Sequence, residues 1–276
     1  VTQGINYLMT GTTTFYNLTF SGTGYGWKIS DDLVVQNTLS ITNSWEGGNI
    51  VADDGEAHTI SVAGNVSSTG EVSMGSQLTV VMNGTGAQTV TTSSTTNTTS
   101  GSIGSLRISN TTTAVQLGSN LKVRGKLTID TSTTLDVTTN NYSIDIWFGY
   151  GDELATIGWV KNGTFNQRQG TVTFITNLQG IMALITGPTT FYNLTFAGSG
   201  YGWTISDDLV VQNTLSITNT LDSTNITADT GETHTISVAG NVSHTGANLM
   251  ESQLTIVMNG TTAQTVTTSG AGSIGS

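Results

Sequence analysis

Seven aspartates stand where carboxylate chemistry is possible: Asp31 and Asp32, Asp53 and Asp54, Asp207 and Asp208, and Asp229. Oxygen donors next to a glycine turn, as in Asp53-Asp54-Gly55-Glu56, suit a hard cation such as Ca2+. The spacing matches neither an EF-hand loop nor the repeated Gly-Asp nonapeptide. These residues are therefore structural Ca2+ candidates at most, and no other cofactor is expected. Paired acids also serve glycoside hydrolysis, but here they sit in turns and recur in two copies. His58, His234 and His244 have no metal-ligand spacing between them. A Gly-x-Ser-x-Gly elbow, a phosphate loop and a dinucleotide fingerprint are all missing. No catalytic residue is assigned, and the chain is expected not to be an enzyme. A β-helical polysaccharide-active enzyme is the outlying alternative, and it would need Asp31 or Asp53 in a cleft.

Two other residue classes could carry recognition. The aromatics Phe15, Tyr16, Phe20, Tyr25 and Trp27 recur at 191, 192, 196, 201 and 203. A second group is Tyr142, Trp147, Phe148, Tyr150 and Trp159. They suit either core stacking or a sugar platform. Eleven Asn-x-Ser/Thr acceptors are present: Asn17, Asn65, Asn83, Asn97, Asn110, Asn141, Asn162, Asn193, Asn225, Asn241 and Asn259. They are glycosylation candidates if the chain is secreted. Asn17 and Asn193 fall in strand-like runs where they could face inward.

These residues need a scaffold, and composition says which kind. Thr supplies 54 of the 276 residues, and Gly 34. β-Branched Thr suits pleated strands, while Gly and Asn suit tight turns. The chain reads as all-β with many short strands. Only 9% of residues are charged, with 18 acids against 7 Lys plus Arg. That balance argues against nucleic acid as a partner. Without cysteine there is no disulfide frame and no thiolate metal site. Apolar runs are too short for a membrane span. Six of the seven basic residues, Arg107, Lys122, Arg124, Lys126, Lys161 and Arg168, lie in the middle of the chain. They could dock against acidic modules of a neighbour or merely be solvated.

The chain repeats itself. Residues 13–93 and 189–269 are identical at 63 of 81 positions, at a spacing of 176. This divides it into a first module (1–105), a mildly basic linking segment (106–188) and a second module (189–276). The chain thus holds about one and a half periods, which suits a fragment of an array or an assembling subunit. Shorter alternating segments such as Leu39-Ser40-Ile41 and Leu127-Thr128-Ile129 recur within each period, at a near-regular step typical of solenoids. One face is apolar and the other carries Thr or Ser. This predicts a β-helix, or β-solenoid, of roughly 20-residue coils, expected to wind to the right. About 13 coils would make a rod near 60 Å long. Tandem β-sandwich modules are the alternative.

Three stretches carry a resemblance: Asn120-Leu121-Lys122-Val123-Arg124-Gly125-Lys126-Leu127-Thr128-Ile129, Trp159-Val160-Lys161-Asn162-Gly163-Thr164-Phe165, and Thr190-Phe191-Tyr192-Asn193-Leu194-Thr195-Phe196. Together they resemble the β-solenoid repeats of prokaryotic cell-surface proteins of surface-layer, sheath-like or adhesin type. Some phage fibres have similar repeats. The resemblance implies coil architecture and no activity. It also implies an extracellular or cell-surface location, with copies of the chain as partners in a polymer and glycans as possible ligands. The function expected is a structural subunit of a sheath, surface layer or filament. An adhesin, carbohydrate-binding stalk or phage-fibre segment is the alternative.

Overall fold

The computed structural model describes residues 7–44, 49–53, 55–93, 100–148, 157–177, 183–220, 225–247 and 249–269. Every regular element among them is a β-strand. The strands are short, because each holds only a few alternating apolar positions before a Gly, Asn or Asp turn. Leu18-Thr19-Phe20, Leu39-Ser40-Ile41 and Leu215-Ser216-Ile217 each bury their outer pair and turn the middle residue outward.

All the pairings between these strands are parallel. A sandwich would be built from antiparallel strands, so that alternative is excluded. The chain is a β-solenoid of about 10 turns. Three strands make one turn. Tyr7–Met9, Thr13–Phe15 and Leu18–Phe20 lie in three different sheets, and Trp27–Ile29, Leu33–Val35 and Leu39–Ile41 stack on them in the same order. One eleven-stranded sheet runs from Thr13–Phe15 to Leu249–Met250. We call it the second face, and the faces before and after it in each turn the first and third.

Ten steps of roughly 4.8 Å give a described stack about 48 Å long, shorter than the 60 Å expected from 13 coils. The coils are longer than the strand periodicity implies. Near the start of the rod Thr13 pairs with Leu33, whereas in its middle Leu127 pairs with Trp159 across a much longer coil. Turns of different length absorb the surplus, and the strand pairings keep their register apart from a shift between Ile157 and Trp159.

The two modules are not superimposed along the rod. Strand Trp27–Ile29 lies on the first face, but its copy Trp203–Ile205 lies on the second. Likewise Leu33–Val35 lies on the second face and Leu209–Val211 on the third. The first face is continuous across the linking segment. Met74 N–H donates to Ser102 O at 3.1 Å, and Ile103 bridges Val123 in parallel. Counting rungs, Ala183–Thr186 is the eighth strand of the second face, and its counterpart Tyr7–Met9 is the first of the first face. One 176-residue repeat therefore takes seven turns plus one face. Identical surface features of the two modules point a third of a turn apart.

The interior is a continuous apolar column. Its widest part is aromatic. Trp159 packs edge-on to Phe165 and Phe174, with centroids 5.1 and 6.1 Å away, and Phe196 lies 5.0 Å from Trp203. Phe20, Phe174, Phe191, Phe196, Trp159 and Trp203 are fully buried, so these rings fill the core. Tyr16 and Tyr25 are exposed instead. Burying one such ring contributes about 1.5–3 kcal/mol.

Candidate functional site

The aspartate pairs brace one coil against the next. Asp31 Oδ2 accepts the backbone N–H of Gly11 at 2.6 Å, and Asp207 Oδ2 accepts that of Gly187 at 2.7 Å. Gly11 and Gly187 have φ of 83° and 88°, where a left-handed turn aims the amide at the carboxylate. Asp32 Oδ1 accepts Thr59 N–H at 2.7 Å, and Asp208 Oδ1 accepts Thr235 N–H at 2.8 Å. Each of the four carboxylates thus holds a neighbouring coil by a charge-assisted bond. Asp54 lies outside the described residues. Among the described residues, no group of three or more His, Asp or Glu is arranged to hold a metal ion.

The next aspartate differs between modules. Asp53 Oδ1 meets Lys28 Nζ at 2.7 Å. In the second module the lysine position is Thr204, and Asp229 Oδ1 lies 2.8 Å from His234 Nε2. His234 Nδ1 is 3.8 Å from Asp208 Oδ1, as His58 Nδ1 is 3.9 Å from Asp32 Oδ1. His244 is buried inside the coil, where the first module has the buried Ser68.

The sequons fall into distinct settings. Asn83, Asn162 and Asn259 are exposed at turns. Asn17 is also exposed rather than inward-facing. Its Oδ1 accepts Asn37 Nδ2 and Thr38 N–H at 2.9 and 3.1 Å. Asn193 is half-buried and makes the equivalent bonds to Asn213 and Thr214. Asn65, Asn241 and Asn141 are exposed, and each accepts a backbone N–H of a later coil through Oδ1. Asn110 is buried. Its Nδ2 donates to Gly86 O at 2.8 Å and to Gln88 Oε1 at 3.0 Å, which closes that nitrogen to a glycan. Asn225 starts the strand Asn225–Ala228, and Asn97 lies outside the described residues.

Several structural residues escape a motif search. Asn43 and Asn219 are buried polar groups whose Nδ2 atoms donate to Gly24 O and Gly200 O, both at 3.1 Å. Gln88 and Gln264 bind two carbonyls each, Val62 and Gly64 or Val238 and Gly240. The only available signal was their identity in both copies.

Two basic residues of the linking segment form ion pairs with acids of their own chain, and Lys161 Nζ donates to Pro188 O at 2.8 Å. Arg107 Nε is 2.8 Å from Asp130, and Arg168 Nη2 is 2.8 Å from Asp136. The Arg168 hydrogen bond holds the Asp136 carboxyl below its ordinary pKa, against a smaller opposing effect of burial. Burial pushes Asp145 up, opposed by a hydrogen bond from Thr173 and the charge of Lys122. Burial also lowers Lys122, opposed by Asp145. Beside Arg168 lies an open groove of about 510 Å³, lined by Thr139, Asn141, Arg168, Gln169, Tyr192 and Gln212. The half-buried Tyr192 ring and the planar polar side chains of Asn141, Arg168, Gln169 and Gln212 converge there.

Comparison with known protein families, curated proteins and solved structures finds no match. Among the described residues, no helix is long and apolar enough to cross a membrane.

Proposed function

We propose that the chain is a non-enzymatic structural subunit of an extracellular assembly: a sheath, surface layer or filament made of copies of itself. The observation that carries this reading is the uninterrupted eleven-stranded face. Both modules and the linking segment add parallel rungs to it, with a register shift between Ile157 and Trp159, so the rod lengthens by repetition without a new core. The duplicated aspartates support the reading, because they tie coil to coil. Rows of hydroxyls support it too. Thr173, Thr195, Ser216, Ser243 and Thr267 stand in register on successive rungs. They offer a nearly charge-free surface for lateral contact between rods. Electron microscopy of the protein isolated from its source should show ordered polymers. Dispersed monomers would overturn the reading.

The groove around Tyr192 favours a second reading, an adhesin or carbohydrate-binding stalk. Tyrosine faces, arginine and side-chain amides recognise sugars by stacking and planar hydrogen bonds. A glycan array tests it. Binding lost in Tyr192→Ala would support it, and an array without signal would remove it.

A further inference from the structure

The modules differ at 18 of the 81 aligned positions, and four of these differences gather in one place. Lys28 becomes Thr204, Val51 becomes Thr227, Asp54 becomes Thr230 and Gly75 becomes Glu251. In the second module these four residues, with Asp229 and Gln253, line a cleft of about 480 Å³. None of its lining residues is basic, and the ring nitrogen that meets them is His234 Nε2, 2.8 Å from Asp229 Oδ1.

The stacking places them together. Lys28 pairs with Val51 on adjacent rungs of the first face, and Thr204 with Thr227 on adjacent rungs of the second. Thr227 Oγ1 donates to Thr204 Oγ1 at 3.5 Å. Glu251 follows the strand Leu249–Met250 on the next rung, where its N–H donates to Ile226 O at 3.1 Å. The first module shows what this position holds. There an ammonium, Lys28 Nζ, sits 2.7 Å from the aspartate that corresponds to Asp229.

We propose that the cleft of the second module binds a primary ammonium group supplied from outside the chain. The internal lysine is withdrawn, its place is opened by a smaller hydroxyl, and a carboxylate is added. Asp229 and Glu251 supply the charge, and Thr204 and Thr227 the hydrogen-bond acceptors. The ligand is thus a lysine side chain of another chain or a free alkyl amine. This inference does not depend on the polymer reading.

The test is calorimetric titration of the full chain with Nα-acetyl-lysine N-methylamide. The norleucine analogue serves as control and Ca2+ as a competing titrant. Saturable binding of one lysine derivative per chain, with none of the norleucine derivative, is the expected result. Thr204→Lys restores the residue of the first module and should weaken binding at least tenfold. Glu251→Gly restores the other difference and should also weaken it. Both replacements are tolerated at the equivalent sites of the first module. No saturable binding, or undiminished binding in Thr204→Lys, would overturn the proposal. So would tight Ca2+ binding that Thr204→Lys abolishes, which would make the cleft a metal site. Sedimentation at rising concentration separates the sources. Self-association reversed by the lysine derivative assigns the ammonium to a second copy. Derivative binding without self-association assigns it to a free amine or a different protein.

Discussion

Asp207 Oδ2 accepts the backbone N–H of Gly187 at 2.7 Å, across the step from one coil to the next. The bond recurs in the first module between Asp31 and Gly11. Its two partners are a full coil apart in sequence, so it is a tertiary staple and not a local turn. Removing the acceptor strands a half-buried N–H, at a cost of about 1–3 kcal/mol. Asp207→Ala should lower the urea midpoint, and Asp207→Asn, which keeps an acceptor oxygen, should lower it less. Equal midpoints for wild type and Asp207→Ala would show that water replaces the carboxylate without loss.

Two carboxylates should have opposite pH signatures. Asp136 has a depressed pKa in the fold, chiefly through the Arg168 hydrogen bond. Its contribution is present above the unfolded value of about 3.9 and is lost as pH falls through the folded value. Arg168→Gln should destabilise the protein at neutral pH, move acid unfolding to higher pH, and converge with wild type in strong acid. Asp145 has a raised pKa, chiefly from burial. Its ionisation therefore weakens the fold as pH climbs from the unfolded value through the folded one. Asp145→Asn should be stabilising at neutral pH, with the gain fading below the unfolded value. Denaturant melts at a series of pH values measure both.

The two large indoles in the core should respond differently to trimming. Trp159 Nε1 donates to Thr189 Oγ1 at 3.1 Å inside the protein. Trp203 Nε1 is buried with no hydrogen-bond partner among the described residues. Trp203→Phe removes an unsatisfied donor along with some volume, and should cost less than Trp159→Phe, which loses a buried hydrogen bond and leaves the Thr189 hydroxyl only its bond to Gly187 O at 2.7 Å. Trp203→Ala should cost about 3–5 kcal/mol through the cavity it leaves. Guanidinium unfolding followed by far-ultraviolet circular dichroism ranks the three.

Gly64 and Gly240 mark close contacts between coils. A Cβ at either would collide with a backbone carbonyl of the coil behind, that of Asn37 or Asn213. Gly64→Ala must push two rungs apart, at a cost of about 1–3 kcal/mol as for other overpacking changes. Gly55 has open space around it, but its φ of 79° makes alanine costly for the backbone alone. Thermal melts should place Gly64→Ala below Gly55→Ala.

Much of this architecture is legible in the residues themselves. The 176-residue repeat, the all-β class and the alternation in segments such as Leu39-Ser40-Ile41 follow from local chemistry. β-Branched residues favour strands, and a strand exposes every second side chain whatever it packs against. The acids near glycines were visible, and so was the duplication of their turns. Their role was not, because Asp31 and Gly11 are joined only by coiling. Alternation reports the inside and outside of a strand, but it does not say which of three faces the strand occupies or which rung lies beneath it. Turn lengths set that, and they vary from coil to coil, so strand spacing overstated the number of coils. For the same reason only the tertiary structure revealed that the second module is turned by one face. It alone also brought Thr204, Thr227 and Glu251, each a coil apart in sequence, to successive rungs of one cleft.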